Sequence, residues 1–304
     1  MTDSGTSTIG VVIPTYNRPE FLQEAVDSVL AQSCPPDVLV VVDDGSTTDL
    51  PPSILELAST GRLTLVRQAN GGVARAMNRG ATEVATDYIL FTGDDDVLVP
   101  GALAGLRQAL DEDPAVVMAA GGARNWYMPE GRLGPLEFPD VQRGDFDELL
   151  TGCPYFAGAV MIRRSAFVAV GGFETAVPLS EDWDLYLRLA RLGPTALPTV
   201  PAMHYRRHAV SMTGSMRVAR MAVCLGWHYL RMALPSDRAR QATLLGPGLV
   251  RRFLRQVAWH GQQALKAGRL GEASRSAVIL WRLIRLGRRS AAGRQALREE
   301  WAAY

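Results

Sequence analysis

Apolar residues recur in two alternating spacings from Ile9 to Phe91. Ile9 to Pro14 is an unbroken apolar run of strand length. The apolar positions that follow, Phe21, Leu22, Ala25, Val26, Val29 and Leu30, lie on one face of a helix. The couplet then repeats. "DVLVVV" (37–42) predicts a second strand and "SILELAS" a helix; "RLTLVR" and "GGVARAMNRGATEVA" follow as strand and helix, and "DYILF" as a further strand. Strands that are apolar on both faces belong in a mostly parallel sheet flanked by helices, so the pattern predicts an α/β fold.

The rhythm changes after Gly121. The stretch to Asp145 mixes Gly, Pro and aromatic residues and reads as loops or a small antiparallel excursion over the sheet, where Trp126 and Tyr127 either stack on a sugar or cover an apolar edge. "SEDWDLYLRLARLG" returns to helical spacing, with acids in its first turn. From about Ser215 strand signals are weak and the chain is expected to be mainly helical, which sets the predicted domains at 1–214 and 215–304.

Charge sharpens that division. The whole chain carries a formal +1, but from Pro247 onward twelve Lys or Arg stand against three Glu, a local +9. In "LVRRFLRQVAWHGQQALKAG" and "SAVILWRLIRLGRRS" these cations flank apolar stripes. Such helices suit packing on the rest of the chain, a homo-oligomer interface or a peripheral membrane contact. Three scattered cysteines, Cys34, Cys153 and Cys224, suggest a reducing compartment rather than a disulfide framework. The N-terminus lacks a signal-like apolar core, so a cytoplasmic location is expected.

Several chemistries fail on spacing. The first strand is followed by "PTYNRP" and not by the Gly-rich turn of a dinucleotide site, and "GGVARAM" lacks the GK[ST] ending of a P-loop. No serine-hydrolase elbow occurs, and "HYRRH" is not a zinc-protease motif. Zinc-finger and RRM signatures are missing too, which leaves nucleic-acid binding without support.

What remains is "TGDDD". Asp94, Asp95 and Asp96 follow an apolar strand, at the sheet edge where open α/β folds usually place ligands. Adjacent carboxylates repel, so the cluster calls for solvent, protons or a cation, and Mg²⁺ or Mn²⁺ accepts such oxygen ligands. A solvated turn before the next helix explains the residues equally well.

Taken together and in this order, "VVIPTYNRPEFLQEAVDSVLAQ", "VVVDDGSTTD", "NGGVARAMNRG", "YILFTGDDD", "VGGFE" and "SEDWDLYLRLA" resemble the inverting family 2 glycosyltransferases of GT-A fold, over about Ile9 to Ser211. The resemblance implies a nucleotide-sugar donor site lined by Pro14, Thr15 and Tyr16, with Asp44 reading the base edge and Gly72, Arg75 and Asn78 near the donor. Met77 stands where many relatives carry arginine, and Gly93 takes the usual first acidic position. By the same resemblance Asp94 lies near ribose and Asp95 is the principal ligand of a Mg²⁺ or Mn²⁺. Asp96 joins Asp95 at the metal or orients it, and His208, on the site-closing segment, contacts the metal or the pyrophosphate, with His204 as the alternative.

Asp182 falls at the position of the catalytic base, with Glu181 orienting it or serving the acceptor, and Arg206 and Arg207 are expected to neutralise phosphate. The implied activity is a metal-dependent transfer, from a UDP-sugar by preference, to a small-molecule, saccharide or lipid-linked acceptor through its hydroxyl or amine. No QxxRW motif of the processive synthases is present, which favours single transfers. A catalytically silent sugar-nucleotide-binding or scaffold protein is the alternative.

Overall fold

The computed structural model describes residues 6–141, 144–151, 153–175 and 181–208, with a few isolated positions beyond. In chain order these form β1 (Ile9–Thr15), α1 (Pro19–Leu30), β2 (Val38–Asp43), α2 (Pro52–Ser59), β3 (Thr64–Arg67), α3 (Val73–Ala81) and β4 (Tyr88–Phe91). Next come β5 (Val97–Leu98), α4 (Ala102–Asp111), β6 (Met118–Ala120), β7 (Gly122–Tyr127), β8 (Arg132–Glu137) and α5 (Phe146–Thr151). The series ends with β9 (Val160–Arg163), α6 (Arg164–Ala169), α7 (Glu181–Leu189), β10 (Thr195–Ala196) and β11 (Pro201–Arg207).

Seven strands make the main sheet in the order β10-β6-β9-β4-β1-β2-β3, and only β9 runs against its neighbours. β1 is buried at every residue because it lies between β2 and β4, with helices on both faces. Val11 and Ile13 pack with Leu22, Val26 and Val29 of α1, all fully buried, each contributing roughly 1.5–3 kcal/mol through burial. On the other face Gly80 lets α3 settle onto β1; a Cβ there would overlap Val12.

Parallel pairing puts the carboxyl ends of β1 to β4 on one edge. Thr15 lies opposite Asp43, and Asp44 N–H donates to Thr15 O at 2.9 Å, so the loops leaving β1 and β2 start side by side. Gln68 N–H donates to Asp43 O at 3.0 Å, and Thr92 N–H to Val12 O at 3.1 Å, which brings in the loops after β3 and β4.

A second, four-stranded sheet runs β5-β11-β7-β8. The antiparallel excursion expected after Gly121 exists as β7 and β8, while β11 enters beside β7 in parallel. β11 also pairs with β5 through Met203↔Leu98 and His204↔Val97, immediately past the three aspartates. The chain divides into two compact units, Met1–Thr175 with Leu185–His208 and Ala176–Asp184 with Ala209–Tyr304. The expected tail helices, and the interfaces assigned to them, lie outside the described residues. Among those described, no helix is long and apolar enough to cross a membrane.

Candidate active site

The loop after β1 is locked to the loop after β2. Asn17 adopts a left-handed φ of 54°, which Asn tolerates better than most residues. Its side-chain oxygen accepts the Thr47 N–H at 2.8 Å, and its own N–H donates to Ser46 Oγ at 2.9 Å. Ser46 N–H in turn donates to Asp43. Beside this knot Tyr16 is 46% exposed, with an aromatic ring next to Pro14 and Thr15.

Asp44 is buried, and its carboxylate accepts three bonds: from Gln68 Nε2 at 2.7 Å and from the N–H groups of Gly71 and Gly72 at 2.8 Å each. It therefore staples the β3–α3 turn to β2. A carboxylate accepts about four hydrogen bonds, so capacity for one further donor is left. Gly72 enters α3 at a φ of 88°, with open space where a side chain would stand.

Asn78 uses both ends of its amide on Phe173, donating to its carbonyl and accepting its N–H at 2.8 Å each. It pins the "VGGF" turn. Arg75 is exposed and has no ion-pair partner among the described residues.

The three aspartates have three environments. Asp94 is buried; Thr15 Oγ1 donates to it at 2.7 Å, and burial, reinforced by the Asp95 carboxylate, pushes its pKa up to about 6 against the pull of Arg18. Asp95 is half-buried, and its Oδ2 receives both Arg18 Nη1 at 2.8 Å and His208 Nε2 at 2.9 Å. Arg18 Nη1 also reaches Asp94 Oδ1 at 3.0 Å. Asp96 is tied to β11, accepting the Arg206 N–H at 3.0 Å, and burial followed by Asp95 raises its pKa well above the ordinary value. Gly93 is what lets Asp95 fold back, since a Cβ there would stand 2.7 Å from Asp95 Oδ1.

Arg206 corrects the sequence reading. Its side chain is 4% exposed, with the guanidinium carbon 4.8 Å from the Phe21 ring centre and 4.3 Å from that of Trp126. Nε donates to Asp95 O at 2.7 Å and Nη2 pairs with Glu24. Buried and held by these contacts, the group fixes the aspartate loop instead of standing open to a phosphate. Arg207 turns to Asn125 at 2.7 Å. The segment expected as a closing loop is strand as far as Arg207, and this separates the two histidines. His204 packs against Trp126, its pKa lowered by burial and by Arg124, whereas His208 reaches Asp95 with its ring against Phe21.

Asp95 and His208 fit a divalent cation. Two ligands side by side on an ion at roughly 2.1 Å stand about 3 Å apart, close to the 2.9 Å between Asp95 Oδ2 and His208 Nε2. The His208 side chain is 7% exposed and its Nδ1 has no hydrogen-bond partner among the described residues. Among those residues no third His, Cys, Asp or Glu completes a protein-only cage, so such an ion would need oxygens from elsewhere.

Asp182 and Glu181 open α7 within the second unit. Asp182 is half-buried, accepts the Trp183 N–H at 2.8 Å, and is shifted upward in pKa by burial; Glu181 is buried.

A mostly parallel sheet flanked by helices, with a small second sheet beside its carboxyl edge, is similar in fold to GT-A glycosyltransferase structures. A mannosyltransferase of Pyrobaculum calidifontis, solved with GDP-Man and Mn²⁺, superposes with a TM-score of 0.59 at 22% identity over 90% of this chain and 80% of its own. S. aureus TarS 1-349, solved with UDP, gives 0.60 at 19% identity over 81% and 72%. The family model described as Glycosyl transferase family 2 matches residues 10–171, and the chain belongs to that family. A second, Glycosyltransferase like family 2, matches 152–249.

Relatives include an uncharacterized glycosyltransferase of Haemophilus influenzae, 25% identical over 73% of this chain and 77% of its own. Another, from Rickettsia felis, is 25% identical over 61% of this chain, which spans only 32% of that protein's length.

Proposed function

We propose that this protein transfers a sugar, with inversion, from a nucleotide-activated donor, a UDP-sugar by preference, to a hydroxyl or amine acceptor. The observation that carries the proposal is the meeting of the β1 loop, through Thr15 and Arg18, with Asp94 and Asp95 after β4, with His208 arriving from β11 and the β2 and β3 loops stapled alongside through Asp44. Similar folds have been solved with UDP, UDP-GlcNAc and GDP-Man, which supports a nucleotide-sugar partner.

Tyr16 offers its exposed ring to the base, and Asp44 uses its remaining acceptor capacity on a base N–H. Pro14, Thr15 and Gly72 shape the floor; Arg75 is free to swing toward phosphate, and Asn78 holds the turn beside it. Asp94 supplies the ribose contact.

Asp95 and His208 would hold Mg²⁺ or Mn²⁺, with Asp96 orienting the loop through Arg206. When bound, that cation neutralises charge on the departing diphosphate. The acceptor oxygen or nitrogen bonds to the anomeric carbon as the bond to diphosphate breaks, and Asp182 takes the acceptor's proton. Its upward-shifted pKa makes it a better proton acceptor than an ordinary aspartate. Glu181 serves the acceptor side.

A donor-panel assay with and without Mg²⁺ or Mn²⁺, read by mass spectrometry against hydroxyl and amine acceptors, tests the proposal. Sugar-bearing product that depends on both donor and Asp182 is expected. Tight nucleotide binding with no product across the panel would make it a silent binding protein instead.

A further inference from the structure

Arg18 stands where a cation belongs. Its Nη1 lies 3.0 Å from Asp94 Oδ1 and 2.8 Å from Asp95 Oδ2, and that same Asp95 oxygen faces His208 Nε2. The backbone of Arg18 is fixed on both sides. Asn17 is tied to Ser46 and Thr47, and Pro19 begins α1, whose first turn bonds back to Arg18 O through Phe21 N–H and Leu22 N–H at 3.3 and 3.4 Å. Only the side chain is free to move, and at 21% exposed it has a way out to solvent.

We propose that Arg18 is a resident counter-ion. It neutralises Asp94 and Asp95 while the donor is absent, and is displaced from Asp95 when a divalent cation arrives with a nucleoside diphosphate. The inference rests on Asp95 and His208 as the cation's ligands. The physical reason is competition for one atom: Asp95 Oδ2 already accepts from Arg18 and His208, and a guanidinium and a dication held on the same carboxylate repel each other. A cation alone must expel Arg18 into water. A cation paired with a diphosphate brings an anion beside the site, to which the freed guanidinium can turn. Metal and nucleotide should therefore bind cooperatively, with Arg18 as the coupling element.

The test is Mn²⁺ binding to full-length protein, followed through the paramagnetic resonance signal of free Mn²⁺, with no nucleotide and then with saturating UDP or GDP. Without nucleotide, Arg18→Met should bind Mn²⁺ at least tenfold more tightly than the unmodified protein. Arg18→Gln, which keeps an N–H donor and loses the charge, should move the same way, and it supplies the test if the Met variant does not fold. With nucleotide the gap should close, and Asp95→Asn should lose Mn²⁺ under both conditions. Equal or weaker nucleotide-free Mn²⁺ binding in the folded variants, alongside intact nucleotide-dependent binding in the unmodified protein, would overturn the role of Arg18 while sparing the proposed function. Mn²⁺ binding by neither protein, with or without nucleotide, would remove the metal site and this inference with it.

Discussion

The two sheets reach the candidate site by different routes. In the main sheet, β1 to β4 are joined by short helical crossovers, so each loop on the carboxyl edge follows directly from its own strand and neighbouring loops touch because neighbouring strands pair. In the four-stranded sheet, β5 and β11 are separated by about a hundred residues yet pair beside the aspartates, and Arg206 then ties Asp95, Asp96, Glu24, Phe21 and Trp126 into one cluster. On the proposed function the first region supplies the groups that face the donor. The second supplies the rigidity that aims them, which a loop of three like charges could not provide alone.

This contrast can be broken in order of effect. Asp182→Asn tests the reacting group itself and should lower kcat by roughly 10²- to 10⁴-fold in a folded protein. Because burial raises the pKa of Asp182, activity in the unmodified enzyme should be lost on the acid side at a pH above the ordinary aspartate value of 3.8, when the base becomes protonated. A pH profile of kcat/KM checks the sign.

Arg206→Met probes the clamp. It should weaken Mn²⁺ affinity roughly 10- to 100-fold, the usual cost of losing a group that orients a ligand. Arg206→Lys should recover part of it, since a point charge keeps the Glu24 pair without the planar stacking between Phe21 and Trp126. An unchanged Mn²⁺ isotherm in a folded Met variant would reduce the clamp to general stability.

Asp44→Ala belongs to the first region and unpairs the Gln68, Gly71 and Gly72 donors. Donor affinity should fall roughly five- to tenfold, the loss of the one proposed bond to the base at about 1–1.4 kcal/mol, while acceptor KM stays put; calorimetry with donor and nucleotide reads it. The smallest effect lies away from the site. Asp87 accepts the N–H and hydroxyl of Thr8, which lower its pKa. Asp87→Asn should cost under about 1 kcal/mol at neutral pH. That difference should fade as pH drops below 3.8 and the native carboxylate takes up its proton.

How much was legible follows the same division. The strand and helix runs from Ile9 to Phe91 appear nearly where the apolar spacing put them, because each unit is local and its apolar face has one place to go. Asp95 and His208 meet, and Arg18 bridges Asp94 to the same Asp95 oxygen that faces His208.

The Arg206 clamp was not legible. Nothing in "HYRRH" says which of two adjacent arginines turns inward; strand alternation and the register of β11 against β7, which sets Arg206 opposite Trp126, decide it. Asn17 and Arg18 stand in plain view in "TYNRP", yet their partners at Ser46, Thr47, Asp94 and Asp95 come from loops that only the folded sheet brings near. Asn17 two residues before Pro19 was a local hint in the sequence; its left-handed φ appears only in the fold.

The central claim is that Asp95 and His208 hold a cation through which a nucleotide diphosphate binds. Titrating UDP and GDP into full-length protein by calorimetry, with and without Mn²⁺, in unmodified and Asp95→Asn forms, tests it most directly. The account predicts that Mn²⁺ strengthens nucleotide binding at least tenfold and that Asp95→Asn erases the gain while the protein remains folded. Nucleotide binding of equal strength in both proteins, indifferent to Mn²⁺, would contradict it.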